Sequence, residues 1–289
     1  FTNASRYIRV TSIPNKTPDY FDNAGLAKAS LPVSGKSGSF GTATGDNNPS
    51  TGGANFYKDI NTQTQGLIGT DYDNMINLLG NVNNYQFNLL STPGLTNDNH
   101  TSQITSIINN TIERGDNIFV MDTVDYDGTL ANALVQAATR NTSYAATYWP
   151  WLRVQDPETG KLVFIPASTM IPGVYAHNDK IANTWNAPTG ISRGGLSTVL
   201  QAKLKLTEAN KASLYDGNIN PIATFPKKGV VVFGQKTLQK GASALDRINV
   251  RRLLIDLKSF IGQIADNLVF EQNTAATRTG FLSIVNPYL

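Results

Sequence analysis

The sequence predicts an α/β protein: a mainly parallel sheet flanked by helices, with a hairpin at one edge and a C-terminal helical extension. Three observations predict it. Short β-branched runs such as NIFVM (117–121) alternate with stretches whose apolar residues fall at helical spacing, the pattern of βαβ crossovers. DPETG, residues 156–160, turns one apolar run back into the next, KLVFIP. A single apolar stripe then runs from Val250 to Leu268 in steps of three and four residues.

In chain order, RYIRVTSI (6–13) reads as a strand, and 30–53 shifts to Gly, Ser, Thr and Asn, too little apolar surface to build a core. A helix is expected over 71–79, with Thr70 as N-cap and Gly80 as its stop. A strand over 85–90 and a turn at Thr92-Pro93-Gly94 follow. The next helix spans 101–114, with Ile104, Ile107, Ile108 and Ile112 on one face. Gly115-Asp116 closes it, 117–121 is a strand, and Asp127 caps a helix over 129–140. One strand is expected over 144–154, a helix around 196–214, a strand over 230–233, and a long helix over 247–268 with Asp246 as N-cap.

The chain has 289 residues, 40% hydrophobic and 16% charged, which suits one large or two modest folded domains. No apolar run approaches the roughly 20 residues of a spanning helix, and FTNASRYIRV lacks a signal peptide's basic-then-apolar pattern. A net charge of +3 gives no reason to expect nucleic acid or membrane as partner. There is no cysteine, which excludes disulfides, thiol catalysis and Cys-based zinc sites. A chain that starts at Phe1 rather than Met is expected to be a piece of a larger subunit.

Several letter patterns touch on chemistry. SLPVSGKSGS (30–39) contains Gly35-Lys36-Ser37, the tail of a P-loop, but Ser30 stands where the first glycine belongs and no helical pattern follows. Without that helix the phosphate cradle is incomplete, so the segment reads as an ordinary loop. GISRG (190–194) matches a nucleophile elbow around Ser192, yet a loop precedes it and no histidine follows it. DTVDYDG, from Asp122 to Gly128, places three aspartates where a strand ends, a position that suits a divalent cation or phosphate. An EF-hand loop would need a glutamate where Leu134 stands, and the alternative is a solvated loop with a capping aspartate. His177 and Asp179 lie close to Arg193 in sequence, and an acid–base role stays open there. N-x-[ST] triplets at Asn3, Asn15, Asn99, Asn109 and Asn141 reflect an Asn- and Thr-rich chain. No complete catalytic motif, metal set or cofactor fingerprint emerges, so neither an enzyme nor a cofactor is expected.

The last helix carries the most. Beside its apolar stripe of Val250, Leu254, Leu257, Ile261, Ile264 and Leu268, a basic stripe is formed by Arg247, Arg251 and Lys258. Arg252 and Asp256 are spaced as an i,i+4 pair. Two readings stand side by side: a helix docked on the core with a solvated basic edge, or a basic ridge that meets an acidic partner.

DRINVRRLL followed by VFEQN resembles the C-terminal signature of contractile tail sheath proteins of myovirus bacteriophages and related injection systems. Upstream, SYAATYWPWLRVQDPETGKLVFIPAS, PGVYAHNDKIANTWNAPTGISRGGL, LYDGNINPI and VVVFGQKTL resemble further segments in that family's order, together covering roughly 144–273. The resemblance implies a structural, self-assembling subunit and no enzyme. Hexameric rings would stack into a helical sheath around a tail tube and contract to drive the tube through the host envelope, with no nucleotide hydrolysed. Implied partners are further copies of the chain, the tube protein, and baseplate and tail terminator proteins, with neither nucleic acid nor direct membrane insertion. The implied location is the virion tail, after assembly in the host cytoplasm. By the same resemblance, 1–69 form an N-terminal strand and loop segment, 70–240 the sheath core, and 241–289 part of a C-terminal domain. Arg247, Arg251, Arg252 and Lys258 become candidate tube or inter-subunit contacts.

Overall fold

The computed structural model describes residues 69–157, 160 and 162–289. The strand expected at 6–13 and the Gly/Ser-rich segment with Lys36 lie outside these residues. The described chain runs α1 (Gly69–Leu79), β1 (Leu89–Thr96), α2 (Thr101–Arg114), β2 (Ile118–Asp122), α3 (Leu130–Ala138), β3 (Ala145–Trp149), β4 (Leu152–Gln155) and β5 (Leu162–Ile165). It continues through α4 (Ile171–Ile181), β6 (Val199–Ala202), α5 (Glu208–Asp216), β7 (Asn220–Phe225), β8 (Gly229–Val232), α6 (Ile248–Asp266) and α7 (Ala275–Val285).

A five-stranded sheet in the order β1-β2-β3-β7-β8 is parallel up to β7, and β8 closes it as an antiparallel hairpin. A smaller antiparallel sheet has the order β5-β4-β6. All five residues of β2 and all five of β3 are buried, as a parallel strand covered on both faces requires. Ile118 and Val120 of β2 join one apolar cluster with Tyr148 of β3, Ile171, Val174 and Tyr175 of α4, and Ile248 and Ile255 of α6. Phe119 and Met121, pointing the other way along β2, are equally buried. α2 packs over β1 and β2, burying Ile104, Ile107 and Ile108 as the spacing predicts; Ile112 is exposed and Thr111 takes the inner position.

The structure corrects several expectations, each for a physical reason. The turn at 92–94 is part of β1: that strand lies at the sheet's edge among the described residues, and its register shifts between Ser91 and Thr96. An edge bulge of this kind tolerates Pro93 without a donor, and Gly94 supplies φ +100°. The single strand expected over 144–154 is two strands in two sheets. The break falls at Pro150, which offers no N–H to a ladder, and the Trp149–Pro150 bond is cis. The hairpin β4–β5 therefore belongs to the second sheet, not to an edge of the first. The helix expected at 196–214 is β6 followed by α5, because Val199–Ala202 pairs with β4 and Thr207 caps a new helix by accepting from Asn210 N–H at 3.2 Å. α3 is capped by Thr129, not Asp127. Asp246 sits in a 3-10 turn capped by Ser243, and Arg247 is the N-cap of α6 without a side-chain bond. α4, β7 and α7 have no counterpart in the sequence expectations.

Candidate functional site

α6 approaches the body of the fold with the face that sequence alone would leave outside. Its buried residues are Ile248, Arg251, Arg252 and Ile255, spaced i, i+3, i+4, i+7. At 100° per residue this set is centred roughly 150° from the apolar stripe of Val250, Leu254, Leu257, Ile261, Ile264 and Leu268. None of those six is fully buried, and Leu254 is 43% exposed.

Aromatic rings and acceptors on distant elements pull the basic face inward. The Arg251 guanidinium stacks 3.9 Å from the centroid of the Tyr144 ring and donates to Ser143 Oγ, 108 residues away. Burial lowers its pKa from the usual arginine value, partly offset by Tyr144. Arg252, 5% exposed, donates through Nη2 to Asp179 Oδ2, 73 residues away, and lies 4.7 Å from the Tyr175 ring. Beneath it, the hydroxyls of Tyr175 and Tyr148 share a 2.5 Å hydrogen bond. Burial raises both phenols, Tyr175 to about 12, so the pair is neutral at physiological pH. A planar guanidinium suits such a setting, because its faces stack while its edge bonds a carboxylate.

The spacing-based Arg252–Asp256 pair does not form; Asp256 Oδ2 instead accepts from Thr184 at 3.2 Å and from the Tyr288 hydroxyl at 3.0 Å. The Phe260 and Tyr288 rings stack at 3.8 Å, which ties the end of α7 to α6. Lys258 is exposed, yet its Nζ donates at 3.0 Å to the Arg114 carbonyl at the C-terminal end of α2, where a cation offsets the helix dipole. Gly115 follows at φ +64°, and a Cβ there would sit 2.8 Å from that Nζ. Arg247, its side chain 38% exposed, pairs with Asp246 at 3.1 Å and bonds the Tyr215 hydroxyl.

The four basic candidates therefore divide. Arg251 and Arg252 are occupied inside the chain and are not free to meet a partner surface in this structure. Arg247 and Lys258 keep solvent access at opposite ends of the buried face. Between α6 and the end of α2 lies a cleft of about 500 Å³, lined by Phe87, Arg114, Asp116, Arg252, Asp256 and Lys258. Sequence reasoning missed the rings and Asp179 because those partners lie on β3, its preceding loop and α4, far from α6 along the chain.

The other flagged motifs come apart. Asp122 accepts from Ser168 N–H at 3.2 Å and from its hydroxyl at 2.5 Å, and burial pushes its carboxyl up to about 7. No group of three or more metal-ligating side chains is gathered among the described residues. Asp179 is held by Arg252, and Arg193 donates to the Ala187 carbonyl at 3.1 Å. His177 and Ser192 line one hollow of about 660 Å³ between α4 and β8, with Gly195 and Lys228 on its walls. No helix of the described residues is long and apolar enough to cross a membrane.

Comparison with known proteins agrees with the resemblance. The chain is 34% identical over 163 residues to the tail sheath protein of Vibrio phage KVP40, a match covering 56% of this chain and 24% of that one. It is 36% identical over 126 residues to the tail sheath protein of Enterobacteria phage T4, covering 44% and 19%. The chain thus spans no more than about a quarter of the length of these curated relatives. Its fold is similar to the sheath complex of an extracellular contractile injection system in its contracted state, with TM-score 0.64 and 24% identity over 77% of this chain and 58% of that one. No protein-family model matches. Over these stretches the chain is similar to tail sheath proteins of phages.

Proposed function

We propose that this chain is part of a contractile tail sheath subunit, one that assembles as stacked hexameric rings around a tail tube and contracts to drive the tube through the host envelope. The observation that carries the reading is the 34% identity over 163 residues to a phage tail sheath protein. In the alternative, a metal or phosphate enzyme at the 122–128 loop, the first carboxylate, Asp122, is buried and already engaged by the Ser168 N–H and hydroxyl. The working energy would be stored in the assembled lattice, with no nucleotide consumed. Partners would be further copies of the subunit, the tube protein, and baseplate and tail terminator proteins, brought together in the host cytoplasm before the tail joins the virion. Residues 1–69 would be an N-terminal segment, 70–240 the sheath core and 241–289 the near part of a C-terminal domain.

Within this reading, Arg247 and Lys258 are the contacts we assign to an acidic tube or neighbour surface, while Arg251 and Arg252 set the position of α6. Two experiments test the proposal. The full-length protein should form tubes visible by negative-stain microscopy, and a protein that stays monomeric at high concentration refutes the reading. In assembled material, Arg247→Glu and Lys258→Glu together should weaken tube binding while the circular dichroism spectrum stays unchanged. Undiminished tube binding by that variant removes both residues from the interface.

A further inference from the structure

Residues 72–88, most of α1 and the segment that leads into β1, are held to the body of the fold by a small set of contacts. Within 72–79 only Ile76 is buried, and within 80–88 no residue is. So small an apolar anchor leaves polar contacts to decide whether the segment stays down. Asn110 of α2 donates to the Ile76 carbonyl at 3.4 Å. Arg114, the last residue of α2, adds three contacts. Its Nη1 donates to the Leu79 carbonyl, its Nη2 donates to the Tyr85 carbonyl at 2.7 Å, and its guanidinium lies 4.3 Å from the centre of the Phe87 ring.

The guanidinium is secured from its own side. Asp116 accepts from Nε at 2.9 Å and from Nη2 at 2.7 Å, so the charge stays paired with the segment in place or lifted. What the segment offers Arg114 is two backbone carbonyls and a ring, and water can take the place of the carbonyls. Lys258 of α6 donates to the Arg114 carbonyl at 3.0 Å, a tie between α2 and α6 in which the segment takes no part. The sheet begins where the segment ends: the Asn88 carbonyl accepts from Ile118 N–H at 3.0 Å, and Leu89 pairs with Ile118. Val82, Gln86 and Phe87 form one wall of the cleft of about 500 Å³, with Ser259 and Gly262 of α6 in its lining.

We propose that residues 72–88 form a releasable strap: Asn88 is its hinge, Arg114 is its latch, and the sheet, α2 and α6 stay folded when it lifts. Lifted, α1 loses its support, and 11 residues are too few to hold a helix in water. Release therefore melts α1 and turns the cleft into an open face of α6. The opening sets free one buried isoleucine and a few hydrogen bonds, far less than global unfolding does. It needs no second copy of the chain, so it stands or falls separately from the assembly reading above.

Hydrogen exchange of the native chain, followed in a urea series below its unfolding transition, tests the strap. The amides of 73–85 should be protected, yet exchange at least about a hundredfold faster than those of β3 once intrinsic rates are divided out. Their opening should respond little to urea, because little surface is exposed. Arg114→Met should speed the amides of 73–85 about tenfold or more, since the closed strap loses two bonds to a charged donor. Arg252→Ala loosens α6 without touching a strap contact, so it should speed the amides of β3 and leave those of 73–85 unchanged. If 73–85 share the protection and urea dependence of β3, or if Arg252→Ala speeds both alike, the segment opens only with the whole fold and the strap is overturned. Exchange of 73–85 at the free-peptide rate would mean that it never closes. No rise in Arg114→Met would remove Arg114 as the latch. Should Arg114→Met fail to fold, the urea series and Arg252→Ala still decide.

Discussion

Arg252→Ala is the substitution that most directly tests how α6 is held. It removes a guanidinium that is 5% exposed, bonded to Asp179 and stacked on Tyr175. Stripping one partner from a fully buried ion pair costs about 3–5 kcal/mol. The Asp179 side chain is 28% exposed, so water recovers part of that cost and the loss falls to about 2–3 kcal/mol. The lost ring contact adds about 1–2 kcal/mol. Arg252 Nη1 is itself buried without a partner among the described residues, and deleting that unsatisfied donor returns about 1 kcal/mol. The net expectation is a destabilisation of about 3 kcal/mol, a fall in melting temperature of about 6–12 °C. Urea unfolding followed by circular dichroism measures it as a lower midpoint at unchanged slope. A double-mutant cycle with Asp179→Asn should show coupling of at least about 1 kcal/mol, and the same cycle with Asp256→Asn should show none. A loss below about 0.5 kcal/mol, the range of an ordinary surface change, would refute the claim that the basic face anchors the helix.

The buried carboxyl of Asp122 makes stability depend on pH. Its folded pKa of about 7 stands above the ordinary 3.8, so the stability it lends is fully present below about 3.8 and is lost as pH rises through 7. The span is at most roughly 4 kcal/mol. Asp122→Asn should flatten the urea midpoint between pH 4 and 8 relative to the native chain, and parallel profiles would contradict the assignment. Asn220, fully buried, bonds the Thr147 and Lys236 carbonyls at 3.1 and 2.8 Å and accepts from Lys236 N–H at 2.6 Å. Asn220→Ala strands all three backbone groups and should cost about 3 kcal/mol in the same assay; a change under about 1 kcal/mol would show that water replaces the amide. Titration calorimetry with ATP-Mg should give no saturable micromolar heat, since Gly35-Lys36-Ser37 lacks a P-loop's first glycine and following helix pattern. A saturable isotherm would reopen the nucleotide reading.

Where periodicity reports a local fact, the sequence was readable. α2 spans Thr101–Arg114 as its isoleucine spacing predicts, and Gly115 closes it with φ +64°. DPETG does join two antiparallel strands, β4 and β5. The helix expected around 196–214 is not there at its start, because Val199–Ala202 is claimed by pairing to β4, and strand pairing outweighs helix propensity over four residues. On α6 the apolar stripe was identified correctly and its direction was not. An apolar stripe marks the inner face of a helix only where the receiving surface is apolar too. Here that surface offers Tyr144, Tyr175 and Asp179, which match guanidinium groups better than leucines.

By itself, the sequence determined the α/β class, the parallel sheet and the resemblance to tail sheath proteins, because each rests on patterns within a few residues or on motifs in fixed order. Tertiary structure alone decided which face of α6 is inside, that Arg252 binds Asp179 rather than Asp256, and that Phe270 projects into solvent. Those outcomes turn on groups separated by 73 residues in one case and 108 in another, brought together only when the sheet assembles. A helical wheel gives the angle of each side chain around its own axis; what waits at that angle is set by the rest of the fold.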